Sequence, residues 1–188
     1  MQKELPLVPG PSSYSDVVKR ANNKVSVFSS SITKGVNVRR MNKQFNGDKI
    51  IMHRFHGKKA HHIKQYVPIH MKEDKPDTCV IVAGGNDLPG RAPVLEIANN
   101  LMEAGILCKN HGASKVIISS VLPRQDSYCQ ARREQLNKVL IDLCHLHNFV
   151  YMDNWNISSC NLQSDGVHLN VSGSDQLEFN FLWYLNSS

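Results

Sequence analysis

Five short runs rich in β-branched residues punctuate this 188-residue chain, at Val25–Phe28, Lys49–His53, Thr78–Ala83, Lys115–Ser119 and Phe149–Met152. Most are nearly continuous in apolar character rather than alternating, the pattern of strands covered on both faces. Between them the apolar spacing changes to three and four. Val38, Met41 and Phe45 share one face of a short helix and leave Arg39, Arg40 and Lys43 toward solvent. Pro93 suits a first helical turn, Val94, Ile97, Leu101, Ala104 and Cys108 form the stripe that follows, and Gly112 is its stop. Leu136, Val139, Leu140, Leu143 and His147 repeat the motif, as do Leu177, Phe181 and Leu185. Strand and helix alternate five times, which predicts an α/β sandwich around a parallel sheet. Residues 1–23, with Pro6, Pro9 and Pro11 close together, read as an arm or linker, and residues 24–188 as one domain.

In a parallel sheet of this kind, reactive groups gather beyond the carboxyl ends of the strands. The first run is followed by Ser29-Ser30-Ser31-Ile32, the second by Phe55-His56-Gly57 and the third by Gly84-Gly85-Asn86-Asp87. Past the fifth run, before the last helix, stands Asp165-Gly166-Val167-His168. A serine hydroxyl becomes a nucleophile only beside a base that takes its proton, with a third group orienting that base. Asp165 and His168, three residues apart, can be that pair. A tetrahedral intermediate also needs donors aimed at its oxygen, and a strand-end serine NH, the Gly57 NH and the Asn86 amide could supply three. Taken singly, each group has a duller explanation as a cap or turn. Those explanations do not predict all four groups in this order beyond these strands.

The ordered blocks resemble those of the SGNH, or GDSL, hydrolase family. Val-Phe-Ser29-Ser30-Ser31-Ile32 is similar to its first block, Gly57 falls at the second, Gly84-Gly85-Asn86-Asp87 matches the third and Asp165-Gly-Val-His168 the last. The resemblance spans roughly residues 24–185. It implies a three-layer α/β/α sandwich with a flavodoxin-like, five-stranded parallel sheet in order 2-1-3-4-5. It also implies cofactor-free ester hydrolysis: Ser31 attacking, His168 as base then acid, Asp165 orienting it, and an oxyanion hole of Ser31 NH, Gly57 NH and the Asn86 amide. Three consecutive serines leave the nucleophile open on the residues alone; Ser31 is favoured because it precedes Ile32 as in the family. The family's Gly-Asp before the nucleophile is replaced here by Ser29-Ser30, which removes a charge from the supporting loop. Within the family, the wording around Val27–Arg40, Lys75–Leu88 and Asp165–Asn170 is most similar to esterase-type domains of animal transposable elements. These include first open reading frame proteins of LINE-type retrotransposons.

Charge suggests a second class of function. The formal net charge is +6, but the window Lys34–Lys72 alone carries +9, and it is rich in histidine. Such a field attracts anions, so the alternative to an esterase is a module of the same fold binding RNA, DNA or anionic membrane. Arg39, Arg40, Lys43, Lys58 and Lys59 are the candidates for that face. His61-His62, with His53 and His56 near, lack a carboxylate or cysteine at ligand spacing, so no metal is expected. Trp155, Trp183 and Tyr184 are read as core, and Ser119-Ser120 receives no role.

Five well-separated cysteines fit neither a zinc knuckle nor a disulfide frame. Cys79, Cys108 and Cys144 lie in apolar stretches, as small buried hydrophobes do. Three sequons, at Asn156, Asn170 and Asn186, weigh little against that. No apolar run approaches the ~18 residues that cross a bilayer, and Met1–Gly10 lacks the apolar stretch of a secretory signal. The expectation is a soluble intracellular protein, cytoplasmic and at most peripheral to a membrane.

Overall fold

The computed structural model describes residues 23–187, so the arm assigned to residues 1–23 lies, apart from Asn23, outside the described residues. Five strands form one parallel sheet in the order β2-β1-β3-β4-β5, with helices on both sides, as expected. The strands are β1 (Lys24–Ser29), β2 (Lys49–Arg54), β3 (Thr78–Val82), β4 (Lys115–Ser119) and β5 (Val150–Met152). The helices are α1 (Val38–Gln44), α2 (Ala60–Asp74), α3 (Val94–Asn110), α4 (Ser127–His147) and α5 (Val171–Asn186).

Alternation along the strands splits the core in two. Phe28, Cys79, Ile81, Val116 and Ile118 pack beneath α2, α3 and α4. Val25, Val27, Ile50, Val80, Val82, Ile117 and Met152 face α1 and α5. The central strands β1, β3 and β4 are thus apolar on two faces, which weakens period two along them. Phe181 of α5 is fully buried in the second cluster. Phe181→Ala is expected to cost about 3–5 kcal/mol of stability, read from a chemical denaturation midpoint at unchanged m-value.

Two departures from the sequence reading concern this layer. Residues 60–74 were assigned no element, yet they form α2, burying Ala60, Ile63, Val67 and Met71 as a stripe. Pro68 within it removes one backbone donor, and the charged residues around the stripe obscure its period. Trp155 and Trp183 are not core: they are 82% and 63% exposed. The α5 face that packs on the sheet is instead filled by Leu177, Phe181 and Leu185. Tyr184 is half-buried, its hydroxyl accepting from the Asp153 NH at 3.1 Å. Among the described residues, no helix is long and apolar enough to cross a membrane.

The register brings the site together. Ser29, at the end of β1, is opposite Arg54 of β2 and Val82 of β3. The loops that follow these strands therefore leave the sheet side by side. The Phe55 NH donates to Ser29 O at 2.8 Å and the Ser30 NH to Val82 O at 3.1 Å, extending the ladder past the strand ends.

Candidate active site

Of the three consecutive serines, two are buried at the end of β1. Ser29 is fully buried, its hydroxyl 2.7 Å from the Thr33 hydroxyl and 3.3 Å from the His53 carbonyl. Ser30 is buried at the strand end, lining a hollow of ≈ 20 Å³ with Ile32, Gly85 and Arg124. That is room for about one water-sized group. Ser31 opens a 3₁₀ turn, Ser31–Thr33, which lifts its side chain off the strand. Its Oγ stands 3.2 Å from His168 Nε2.

His168 reaches that point from a loop closed on itself. Gln163 NH donates to the His168 carbonyl at 2.7 Å, and Leu162 bridges Leu169 in antiparallel fashion. Gly166 takes φ +66°, a conformation L side chains rarely adopt. The turn lets Asp165 Oδ1 accept the Val167 and His168 NH groups, each at 2.9 Å. Asp165 Oδ2 then meets His168 Nδ1 at 2.7 Å. A carboxylate only accepts, so Nδ1 carries the hydrogen and Nε2 is left with a lone pair toward Ser31. The His168 contact and the two backbone amides hold the Asp165 carboxyl well below the usual carboxylate range. Both side chains are partly open to solvent.

Gly57 and Asn86 take their positions from the neighbouring strand ends. Gly57, with φ +67°, turns the chain between β2 and α2. Among the described residues, neither its NH nor that of Ser31 donates to another group. The Asn86 amide donates one hydrogen to the Lys58 carbonyl at 3.0 Å, tying the third loop to the second. Its second amide hydrogen is free to point elsewhere. Asp87 pins the same junction, accepting the Ala60 NH at 3.0 Å, and its burial pushes its pKa up.

The five cations of the candidate anion-binding face, Arg39, Arg40, Lys43, Lys58 and Lys59, do not act alike. Arg39 and Lys43 are exposed on α1 and Lys59 is exposed before α2, whereas Lys58 is half-buried. Arg40 is not a free cation: it donates to Glu178 Oε2 at 2.6 Å and to Asp175, both on α5, and these carboxylates raise its pKa. The clustered histidines are also divided. His53 meets Asp74 at 2.6 Å and stacks on His70, while His62 accepts from the Lys59 NH at the start of α2. Ser119 and Ser120 hold Asn154, whose amide donates to both hydroxyls at 2.9 Å.

One residue escaped the sequence reading. Arg124, in the loop after β4, lines both the hollow behind Ser30 and a groove of ≈ 560 Å³ that runs past Asp165, Gly166 and Val167. A lone arginine in a loop carries no pattern that would have marked it.

Residues 17–176 match the model of the GDSL-like Lipase/Acylhydrolase family, and the chain belongs to that family. Solved structures agree on the fold. A GDSL-like lipase from Bacteroides thetaiotaomicron is 20% identical, with a TM-score of 0.74 over 88% of each chain. The carbohydrate acetylesterase Est24 from Sinorhizobium meliloti is 16% identical, with a TM-score of 0.76 over 88% of this chain and 99% of its own. The acetylxylan esterase Axe2 from Geobacillus stearothermophilus, as a catalytic mutant, is 16% identical, with a TM-score of 0.74 over 88% and 95%. No curated protein matches the sequence.

Proposed function

We propose that the protein is a carboxylic-ester hydrolase in which Ser31 is the nucleophile, His168 the general base and then acid, and Asp165 the orienting group. The observation that carries this reading is the continuous chain from Asp165 Oδ2 through His168 to Ser31 Oγ, at 2.7 and 3.2 Å. His168 Nε2 takes the hydroxyl proton as Ser31 attacks the ester carbonyl, and the imidazolium is stabilised by the Asp165 carboxylate. The oxyanion is received by the Ser31 and Gly57 NH groups and the free hydrogen of the Asn86 amide. His168 then protonates the leaving alcohol, and water repeats the sequence to release the acid and restore Ser31. None of these steps calls for a cofactor.

Short acyl esters, acetyl foremost, are the proposed substrates. Ser31 and His168 are both partly exposed, so the nucleophile is open to solvent rather than enclosed. Two structural relatives are named as acetylesterases, which favours the same choice. The sequence wording further supports a role as the esterase domain of a transposable-element protein.

Turnover of p-nitrophenyl acetate and butyrate tests the activity: hydrolysis by the wild type that is lost in Ser31→Ala and His168→Ala is the expected result. A folded wild type inert toward both would speak against it. Asn86→Ala should lower kcat by about 10²–10³-fold with a smaller change in KM, since the amide serves the transition state. An effect confined to KM would remove Asn86 from the oxyanion hole.

A further inference from the structure

Arg124 is a half-buried guanidinium that makes no side-chain hydrogen bond or ion pair with any described residue; only its backbone NH is used, donating to Gln130 Oε1 at 3.3 Å. Partial burial pushes the Arg124 pKa down, against a weaker pull upward from the charge of Asp165. The fold nevertheless makes room for it. A Cβ on Gly85 would lie 2.6 Å from Arg124 Nη2, so the guanidinium rests against the backbone that leads into Asn86.

Its neighbours bracket the reacting groups. Ser30 and Ile32, on either side of the nucleophile, share the hollow with Arg124. On the other side, the next residue, Gln125, donates its NH to the Gly166 carbonyl at 3.1 Å, inside the loop that carries Asp165 and His168. Two carboxylates line the adjoining groove, both ionised and each turned to donors of its own loop. Asp126 accepts the Cys129 NH as the cap of α4, and Asp165 is spent on His168 and two amides. The outer rim adds positive charge: Arg91 and Lys59 are exposed, and Lys59 Nζ reaches within 3.7 Å of where a Gly90 Cβ would stand.

We propose, on the basis of the esterase reading, that Arg124 is a specificity-determining residue: it takes a carboxylate borne by the substrate, making the preferred ester an acidic one. A guanidinium presents paired donors that match a carboxylate, and the groove beside it can hold the rest of the acid or alcohol. This adds a charge preference to a reaction that the Ser31 site would otherwise perform on any small ester.

Two matched pairs test the preference on either side of the scissile bond: p-nitrophenyl hemiglutarate against p-nitrophenyl valerate, and 3-acetoxybenzoate against 3-acetoxybenzamide. The acidic member should be favoured in kcat/KM by about tenfold or more in at least one pair, in line with a charge-assisted hydrogen bond. The ratio should fall to near one in Arg124→Gln and recover in part in Arg124→Lys, whatever the absolute rates. A wild type indifferent to the carboxylate in both pairs, or a preference intact in Arg124→Gln, overturns the proposal. Binding of glutarate and of 3-hydroxybenzoate to Ser31→Ala, by titration calorimetry, reads the same contact without turnover. Binding of either acid that is lost in Ser31→Ala/Arg124→Gln supports Arg124 even if no ester is hydrolysed, in which case only the esterase reading fails. Absence of binding for both acids counts against Arg124.

Discussion

Ser31→Ala is expected to reduce kcat on p-nitrophenyl esters by about 10⁴–10⁶-fold, the loss seen when the nucleophile of a serine triad is removed. Neither neighbour can take over. Ser29 is enclosed and bonded to Thr33 and His53, and Ser30 is buried at the strand end. Of the three, only the Ser31 hydroxyl is within reach of His168 Nε2. Stability should hardly change, since Ser31 is half-exposed and its side chain makes no other hydrogen bond among the described residues. A melting temperature close to that of the wild type, beside a lost rate, separates chemistry from folding. His168→Ala should cost a comparable factor, and the double variant little more, because the two side chains act as one unit.

Asp165→Asn should lower kcat by about 10⁴-fold while leaving the loop in place. The asparagine oxygen can still accept the Val167 and His168 amides, but its NH₂ would donate to Nδ1. The hydrogen then moves to Nε2, where it faces Ser31 and cannot take a proton. The same contacts set a pH signature. Because the folded Asp165 carboxyl is held below its usual range, it contributes stability that is present above the unfolded pKa, roughly 3.9, and lost as pH falls through the folded value. The melting-temperature gap between wild type and Asp165→Asn should therefore be full at neutral pH and narrow below about pH 4. A gap that widened on acidification would contradict the assigned contacts.

Much of this architecture is legible in the chain because a doubly covered parallel strand leaves a continuous apolar run. Thr78–Val82 and Lys115–Ser119 show it plainly. The helix over 60–74 leaves only a faint pattern in the sequence for a physical reason: its buried stripe is narrow, and Pro68 and charged residues interrupt it. The two tryptophans misled in the other direction. Bulk suggests burial, but Trp155 lies in a loop and Trp183 on the outer face of α5, and neither position is fixed by side-chain size.

The site follows the same division. Asp165 and His168 could be paired from their spacing, since three residues across a glycine turn bring a carboxylate within reach of one imidazole nitrogen. Which serine faces them depends on where β1 ends, and that is set by pairing with β2 and β3 rather than by Ser29–Ser31 themselves. The basic window promised a single charged face, yet partners on distant elements decide what each cation does. Arg40 is claimed by α5, 135 and 138 residues away, whereas Arg124, outside the window, has no such partner among the described residues. Charge counted along a sequence cannot separate these cases.

The most direct test of the central claim is covalent. A fluorophosphonate reacts with a serine only where a base and an oxyanion hole activate it, and mass spectrometry of the digested protein locates the adduct. The expected product carries one phosphonyl group on Ser31, formed slowly or not at all in His168→Ala. An adduct on Ser29 or Ser30, or a folded wild type that stays unlabelled, would contradict it.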